Sequence, residues 1–272
     1  MPSMNLNKLN KQEINLYLYN EPCTENFDLD EIQSYLKEKT GFNAIKRTAF
    51  VKQVEDRENF AKKLASTRIK DEEKGWDDLP PLPNEISFEK KILKNPEKRL
   101  TSVVYDGNKL AKSFLEEINQ EEKNWNDVHL IYTNRLFGTH KEKDGYNLRV
   151  VIYGLPSLIS TSGIVEAPKK PKKYYQNEKK RTFNHKTIDQ IEEAKKKYNG
   201  KFIDYDDKRI TKALKGYSLQ AILNQLLGTQ SCPNQKCRLH NPNLQNQVIK
   251  SQLKKPEFCK KHKKLIKKIK TK

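Results

Sequence analysis

Short apolar runs alternate with polar stretches along the chain, and they predict a mixture of strands and helices. In the segment INLYLYNEP, Ile14, Leu16 and Leu18 alternate with other side chains, which is typical of a strand. Asp28 precedes a helical pattern that ends at Gly41, and the segment NAIKRTAFV then predicts a second strand. A β-α-β order of this kind indicates a mixed α/β layer.

Further elements are predicted in the middle of the chain. A charged helix is expected near Glu58 to Ile69, and a strand at TSVVYDG is followed by a helix that starts at Asn108. Three more strands are expected together in the middle of one sheet: Val128 to Asn134, Leu148 to Gly154 and Leu158 to Val165. The glycine-containing segment RLFGTHKEKDGYN, between the first two of these, is expected to be an exposed loop.

The strongest helical pattern lies in YDDKRITKALKGYSLQAILNQLLG. Its leucines and isoleucines form an apolar surface wide enough for burial. Asp206 or Asp207 is expected to cap its start, and Gly228 is expected to end it in the left-handed conformation. Gly216 inside this helix costs about 1 kcal/mol relative to alanine, which indicates close packing against another backbone.

The boundaries drawn from these patterns give one α/β (α+β) domain over residues 1–262 and a basic tail over 263–272. The proline-rich residues 75–87 are expected to form a hinge, and residues 167–186 a basic surface loop. The segment from Lys254 to Lys272 carries ten lysines and one acid. A weak apolar stripe in that segment allows it either to dock as a short helix or to fray.

Charge and hydropathy narrow the class of protein. The 272 residues carry a formal net charge of +19, which can mark binding to nucleic acid or to anionic membranes. Lysine far outnumbers arginine, the better reader of bases and phosphates, so nucleic acid is the less favoured partner. No apolar run approaches the roughly 20 residues that span a bilayer, and no signal peptide is recognised. We therefore expect a cytoplasmic protein without a membrane partner.

A spaced set of cysteines and one histidine is the strongest chemical signal in the chain. Cys232 and Cys237 form one pair, and Cys259 and His262 form a second pair further on. Two ligand pairs separated by a spacer are typical of structural zinc, which takes four nitrogen or sulfur ligands. His240 is an alternative fourth ligand, although Cys259-x2-His262 makes the more compact pair. The sequence therefore predicts one structural Zn²⁺ per chain.

The order of helix, glycine and cysteine pairs resembles the archaemetzincins, zinc metallopeptidases of the metzincin clan. Their signature is H-E-x-x-H-x-x-G-x-x-H-C-x4-C, followed by a later C-x2-C. With the signature glycine at Gly228, its cysteine pair falls on Cys232 and Cys237 and the later pair falls on Cys259 and His262. The blocks LYLYNEP, YTNRLFGT, IYGLPSLISTSGIVEAP and LKGYSLQAILNQL also resemble uncharacterised archaeal proteins catalogued as metallopeptidases. The resemblance implies a metzincin-like zincin fold, in which a mixed sheet packs on the long helix.

The same resemblance implies that the catalytic residues are missing. The signature histidines would fall on Ala221, Gln225 and Ser231, and the general base would fall on Ile222. None of these side chains supplies a good Zn²⁺ ligand or a proton acceptor, and a zinc peptidase needs both. Outside this helix, His129, His140 and His185 each lack a partner at ligand spacing.

The favoured function is thus a catalytically inactive relative of the zinc peptidases, with no catalytic or cofactor-binding residues beyond the structural zinc site. Such a protein could bind a peptide or protein ligand by adding a strand to a sheet edge. Two alternatives stay open. One is an active zinc-dependent peptidase with a non-standard site, and the other is a zinc-stabilised nucleic-acid-binding protein that uses the basic loop and tail.

Overall fold

The structure is a computed structural model, and it describes most of the chain. The described residues are 13–21, 26–71, 79–96, 103–141, 145–171, 200–205 and 207–271. Several predictions fall outside these ranges, namely those for Asp206, His185 and most of the basic loop at 167–186.

Helices account for much of the described chain. The α-helices are α1 (Leu29–Thr40), α2 (Arg57–Ser66), α3 (Pro83–Lys94), α4 (Gly107–Glu116), α5 (Gly163–Glu166), α6 (Ile210–Leu227), α7 (Gln245–Val248) and α8 (Lys260–Thr271). A π-helical segment, Ile249–Leu253, follows α7 directly. Among the described helices, none has the length and apolar content that would be needed to cross a membrane.

The strands form two sheets. They are β1 (Asn15–Asn20), β2 (Ala44–Arg47), β3 (Val104–Asp106), β4 (Asp127–Thr133), β5 (Leu136–Lys141), β6 (Gly145–Arg149), β7 (Val151–Ile152) and β8 (Ser157–Ser160). The larger sheet has the order β2-β1-β4-β8-β7, and β7 is its antiparallel strand. The smaller sheet has the order β3-β5-β6, with β3 parallel and β6 antiparallel to β5.

The larger sheet separates two apolar cores. Because side chains alternate along a strand, Leu16 and Leu18 of β1 point to one core while Tyr17 and Tyr19 point to the other. The first core joins the sheet to α1, α6 and α8, and the second joins it to α2, α3, α4 and the smaller sheet. The predicted mixed α/β architecture, in which a mixed sheet packs on a long helix, is confirmed.

The predicted ends of α1 are confirmed by their capping geometry. The Asp28 side chain accepts a hydrogen bond from the backbone N–H of Glu31, which satisfies a donor that the first helical turn leaves free. Gly41 ends the helix at φ 78°, a left-handed conformation in which its N–H donates to the carbonyl of Lys37. These local signals fix where α1 enters and leaves the first core.

The prediction of three central strands in one sheet is wrong in part. The segment expected as an exposed loop forms the strands β5 and β6, and Leu148 and Arg149 therefore belong to the smaller sheet. The chain then changes sheet, and Val151 and Ile152 pair with β8. The third predicted strand ends at Ser160, beyond which α5 begins at Gly163. Which sheet each of these strands joins depends on its pairing partners, some of which are distant in sequence. The periodicity of a segment alone does not specify those partners.

Two predicted helix boundaries also need correction. The residues taken as a hinge include the first turns of α3, which starts at Pro83, a residue suited to the first helical position because it has no N–H to leave unsatisfied. Helix α6 starts at Ile210, where Arg209 is the preceding residue and no side chain caps the helix. Asp207 instead accepts hydrogen bonds from the backbone and side chain of Arg209.

A buried polar cluster holds the second core to the larger sheet. Arg135, which follows β4 and is 1% exposed, donates from Nη1 to Glu89 Oε2 at 2.7 Å. The same nitrogen donates to the Tyr105 hydroxyl at 2.7 Å, and that hydroxyl donates to Glu89 Oε1 at 2.8 Å. Since Glu89 lies on α3 and Tyr105 on β3, the cluster connects three elements through one desolvated ion pair.

Candidate metal centre

The end of α6 positions the first pair of predicted ligands. Gly228 adopts φ 61° and its N–H donates to the carbonyl of Asn224, so the helix ends at the predicted residue. The chain then turns away from the helix axis and reaches Cys232. Cys232 N–H donates to the Leu239 carbonyl at 2.7 Å, which closes a compact loop around Cys237.

The second pair lies at the start of α8. Cys259 directly precedes the helix, and His262 lies in its first turn. The Lys263 N–H donates to the Cys259 carbonyl at 2.8 Å, so Cys259 is tied to the helical turn that presents the histidine. Two segments distant in sequence therefore meet at one point between α6 and α8.

The four ligand atoms form one cluster. Each residue contributes one sulfur or nitrogen, and these atoms all lie within 4.8 Å of one another. Cys232 and Cys259 place their sulfurs 3.9 Å apart, while His262 Nδ1 lies 3.4 Å from Cys237 Sγ and 3.3 Å from Cys259 Sγ. A disulfide requires about 2.05 Å between sulfurs, so the cysteines are free thiols.

These spacings fit a tetrahedral zinc ion. Zn–S bonds of about 2.3 Å and Zn–N bonds of about 2.05 Å would separate two sulfurs by about 3.8 Å and a sulfur from a nitrogen by about 3.5 Å. The observed separations of 3.9 Å and of 3.3 to 3.4 Å lie close to those values. The donor set is three thiols and one imidazole, a common composition of closed structural zinc sites.

The protonation states also suit metal binding. Burial lowers the pKa of His262, aided by the neighbouring Lys261, so its ring is neutral near pH 7 and can donate a lone pair. Burial raises the pKa of Cys232, and it raises that of Cys237 to about 12. These thiols hold their protons until a cation displaces them, so binding of the metal releases protons.

Backbone N–H groups surround the sulfurs. Burial acts to raise the pKa of Cys259, but hydrogen bonds from the N–H groups of His262 and Lys261 help to bring it below the ordinary thiol value. Asn234 and Leu239 direct N–H groups in the same way to Cys232 and Cys237, respectively. Donors of this kind stabilise thiolates and orient them toward a bound metal.

His240, the alternative fourth ligand, points elsewhere. Its Nδ1 lies 2.8 Å from the carbonyl oxygen of Cys232, and because a carbonyl only accepts, this ring nitrogen carries the proton. The ligand cluster in the described part of the chain contains His262 and not His240. The geometry therefore favours His262, and His240 supports the loop that carries the first two cysteines.

Two buried polar residues that the sequence did not single out brace the centre. Arg238, which is 2% exposed, donates to the carbonyl of Gln252 at 2.6 Å and pairs with Glu257 at 3.0 Å. Gln252 returns a hydrogen bond to the Arg238 carbonyl at 2.9 Å. The sequence around Arg238 and Gln252 does not indicate this role. Their partners come together only when the loop that carries Cys232 and Cys237 folds onto α6.

Gly216 of α6 faces this brace, as its predicted close packing requires. A Cβ at this position would lie 2.6 Å from Arg238 Cγ and 2.9 Å from the Arg238 carbonyl oxygen. We expect Gly216→Ala to lower the free energy of unfolding by about 1 to 2 kcal/mol, because overpacking outweighs the roughly 1 kcal/mol gain in helix propensity. Urea denaturation measures this change. A variant more stable than the parent would show that the brace moves freely, contrary to its buried hydrogen bonds.

Three of the four positions of the missing peptidase residues lie in the core. Ala221 and Ile222 are 0% exposed and pack among the apolar residues of the first core. Gln225, 5% exposed, donates from Nε2 to the carbonyls of Trp125 and Asp127 at 3.2 and 2.9 Å. Ser231 lies on the surface, apart from these three residues. This face of α6 thus packs in the first core and bonds to the backbone at Trp125 and at the start of β4.

Among the remaining histidines, the described ones have other partners. His129 is fully buried, accepts from the Tyr19 hydroxyl at Nδ1 and directs Nε2 to the carbonyl of Glu122. Burial lowers its pKa, so it is a neutral core residue. His140 lies on β5 and its ring contacts Tyr146. Within the described residues, the Cys232–His262 cluster is the group that could hold a metal ion.

A cavity of about 620 Å³ adjoins the cluster. Three of the four ligands contribute to its wall, together with residues 228–231 and Lys261 of α8. The cavity gives small molecules, including chelators, a path to one side of the centre.

One family profile and two solved structures are similar to this chain. The sequence profile of a family described as "Probable metallopeptidase family (DUF6775)" matches residues 12–269. The archaemetzincin of Methanopyrus kandleri is 12% identical with a TM-score of 0.46, covering 95% of this chain and 96% of that one. A zinc-dependent peptidase from Methanocorpusculum labreanum is 10% identical with a TM-score of 0.41, covering 93% and 99%. No curated protein matches the chain.

Proposed function

Since the chain belongs to the probable metallopeptidase family DUF6775, we propose that it is a non-catalytic member in which one zinc ion per chain serves the structure. Cys232, Cys237, Cys259 and His262 would hold the ion. Four protein ligands leave no position for a reactive water, so the ion would contribute folding energy and not hydrolysis. It would join the end of α6 to the start of α8.

One observation carries the proposal. The side chains where a peptidase of the resembled type needs two ligands and a base are Ala221, Gln225 and Ile222, and all three are buried against the sheet. Neither alanine nor isoleucine can bind a metal or accept a proton, and Gln225 is engaged with two backbone carbonyls. Hydrolysis at this face would require both different residues and a cleft in place of the core.

The ligand of such a protein would be an extended peptide or protein segment. Strand β2 lies at the edge of the larger sheet and pairs with β1 alone among the described strands. Its Ile45 is 49% exposed, which is unusual for a large aliphatic side chain in a sheet. A segment with an aliphatic residue opposite Ile45 could extend the sheet by one strand.

Metal content and peptide cleavage test the proposal together. We expect native protein to contain about one zinc per chain by atomic emission, and a mixed peptide pool to remain intact with or without added zinc, as followed by mass spectrometry. A second, easily chelated metal, together with cleavage that chelation abolishes, would instead establish an active peptidase with a non-standard site. Absence of zinc from protein purified without chelators would remove the structural role.

A further inference from the structure

The solvent face of α8 is made of lysine. The helix contains seven lysines and no acidic residue. His262, Ile266 and Ile269 are buried on the inner face, and the lysines occupy the rest of the circumference. All seven lysines are exposed: Lys260, Lys261, Lys263, Lys264, Lys267, Lys268 and Lys270. We call this surface the lysine face.

Some lysines elsewhere in the described chain are balanced by carboxylates. Lys39, Lys63 and Lys90, for example, form ion pairs with glutamates. On the lysine face, Lys263, Lys264, Lys267 and Lys268 form no ion pair within the described residues. The positive charge of these four lysines is therefore concentrated at the surface, with no ion pair among the described residues to neutralise it.

This arrangement weakens the helix when nothing is bound. Every lysine of α8 has another lysine three or four positions away, and such like-charge pairs each destabilise a helix by about 0.2 to 0.5 kcal/mol. Lys260 and Lys261 also lie at the positive end of the helix dipole. The buried isoleucines and the Cys259–His262 pair hold the helix in place against this repulsion. A binding partner with dense negative charge would relieve it.

The chemistry of the face identifies the partner. The isoleucines of α8 point into the protein and the half-buried Leu265 packs against the first core, so the helix exposes no large apolar side chain to a bilayer. The face has no aromatic ring to stack on unpaired bases and no arginine to read guanine edges. Lysines along a helix of about 18 Å match the regular phosphates of a duplex. We propose that the lysine face binds the phosphate backbone of double-stranded nucleic acid without sequence preference.

This proposal is independent of whether the protein cleaves peptides, because α8 lies outside the face of α6 discussed above.

Fluorescence anisotropy with a labelled duplex of about 20 base pairs measures binding across a salt series. Replacing Lys263, Lys264, Lys267 and Lys268 with glutamine should weaken binding by at least about 10-fold at low salt. The slope of log K against log salt should fall by about 3 to 4, or about 0.9 per lost phosphate contact.

A matched variant controls for net charge. Replacing Lys52, Lys62, Lys91 and Lys94 with glutamine removes the same charge from exposed positions near the second core, across the sheet from α8. This variant should keep the affinity and slope of the parent, and both variants should keep their zinc content. Equal losses in the two variants, or no binding at about 50 mM salt, would overturn the proposal. Tighter binding to phosphatidylserine vesicles than to the duplex would overturn it as well. A DNA duplex and an RNA duplex tested side by side identify the preferred source of phosphate.

Discussion

Replacing Cys237 with serine is expected to release the metal and to lower the free energy of unfolding by about 3 to 5 kcal/mol. Cys237 is fully buried, and its sulfur lies 3.4 Å from His262 Nδ1. Serine offers a shorter, harder and normally protonated oxygen, which is a poor replacement for a thiolate ligand of zinc. At about 2 to 4 °C per kcal/mol, the melting temperature should fall by roughly 6 to 20 °C.

The loss should begin at α8. Without the ion, Cys259 and His262 no longer fix the start of that helix, and its docking rests on Ile266 and Ile269. Hydrogen exchange should therefore accelerate over Lys260–Thr271 before it does so in the strands of the larger sheet. Adding a chelator to the parent protein should reproduce the pattern, because the cavity beside the centre allows access to the ion.

His240 provides the matched control for this substitution. It lies three residues after Cys237 but hydrogen bonds to the Cys232 carbonyl. His240→Gln should keep one zinc per chain and cost about 1 kcal/mol or less, the typical value of one hydrogen bond. The ligand assignment fails if His240→Gln loses the metal and Cys237→Ser retains it.

The features that were correctly predicted from sequence depend on local chemistry. Asp28 and Gly41 delimit α1 through capping interactions between neighbours, and Gly228 ends α6 in the same way. The spacing within each pair also predicted correctly that Cys232, Cys237, Cys259 and His262 lie together, because a site formed from two short loops imposes such spacing. The resemblance to zinc metallopeptidases is confirmed at the level of the family.

The features that were missed depend on contacts between distant parts of the chain. The hairpin of β5 and β6 contains two glycines and several polar residues, so its sequence looks like that of a loop. Its membership of the smaller sheet is set by the pairing of β5 with β3, more than thirty residues earlier. On α6, the absence of peptidase ligands could be read directly from the sequence, but the hydrogen bonds from Gln225 to the backbone at Trp125 and Asp127 could not.

The Arg135–Glu89 pair, whose members are 46 residues apart, is the least predictable feature and has a large expected effect. Glu89→Gln should lower the free energy of unfolding by about 3 to 5 kcal/mol, because it leaves the Arg135 guanidinium charged and buried without its main counter-ion. Glutamine keeps the size of the side chain, so the change isolates charge from packing. Urea denaturation followed by circular dichroism measures the loss.

An adjacent ion pair is the control. Lys90 follows Glu89 on α3 and pairs with Glu58 at 2.7 Å on the surface, where such pairs contribute about 0 to 1 kcal/mol. Glu58→Gln should therefore leave stability close to that of the parent. In the double variant Glu89→Leu with Arg135→Met, both charges disappear, and the total loss should be smaller than the sum of the two single substitutions. Two outcomes would contradict this account: strict additivity in the double variant, or a loss for Glu89→Gln no greater than that for Glu58→Gln. Either would mean that Arg135 reaches solvent and that the cluster does not hold α3 and β3 to the larger sheet.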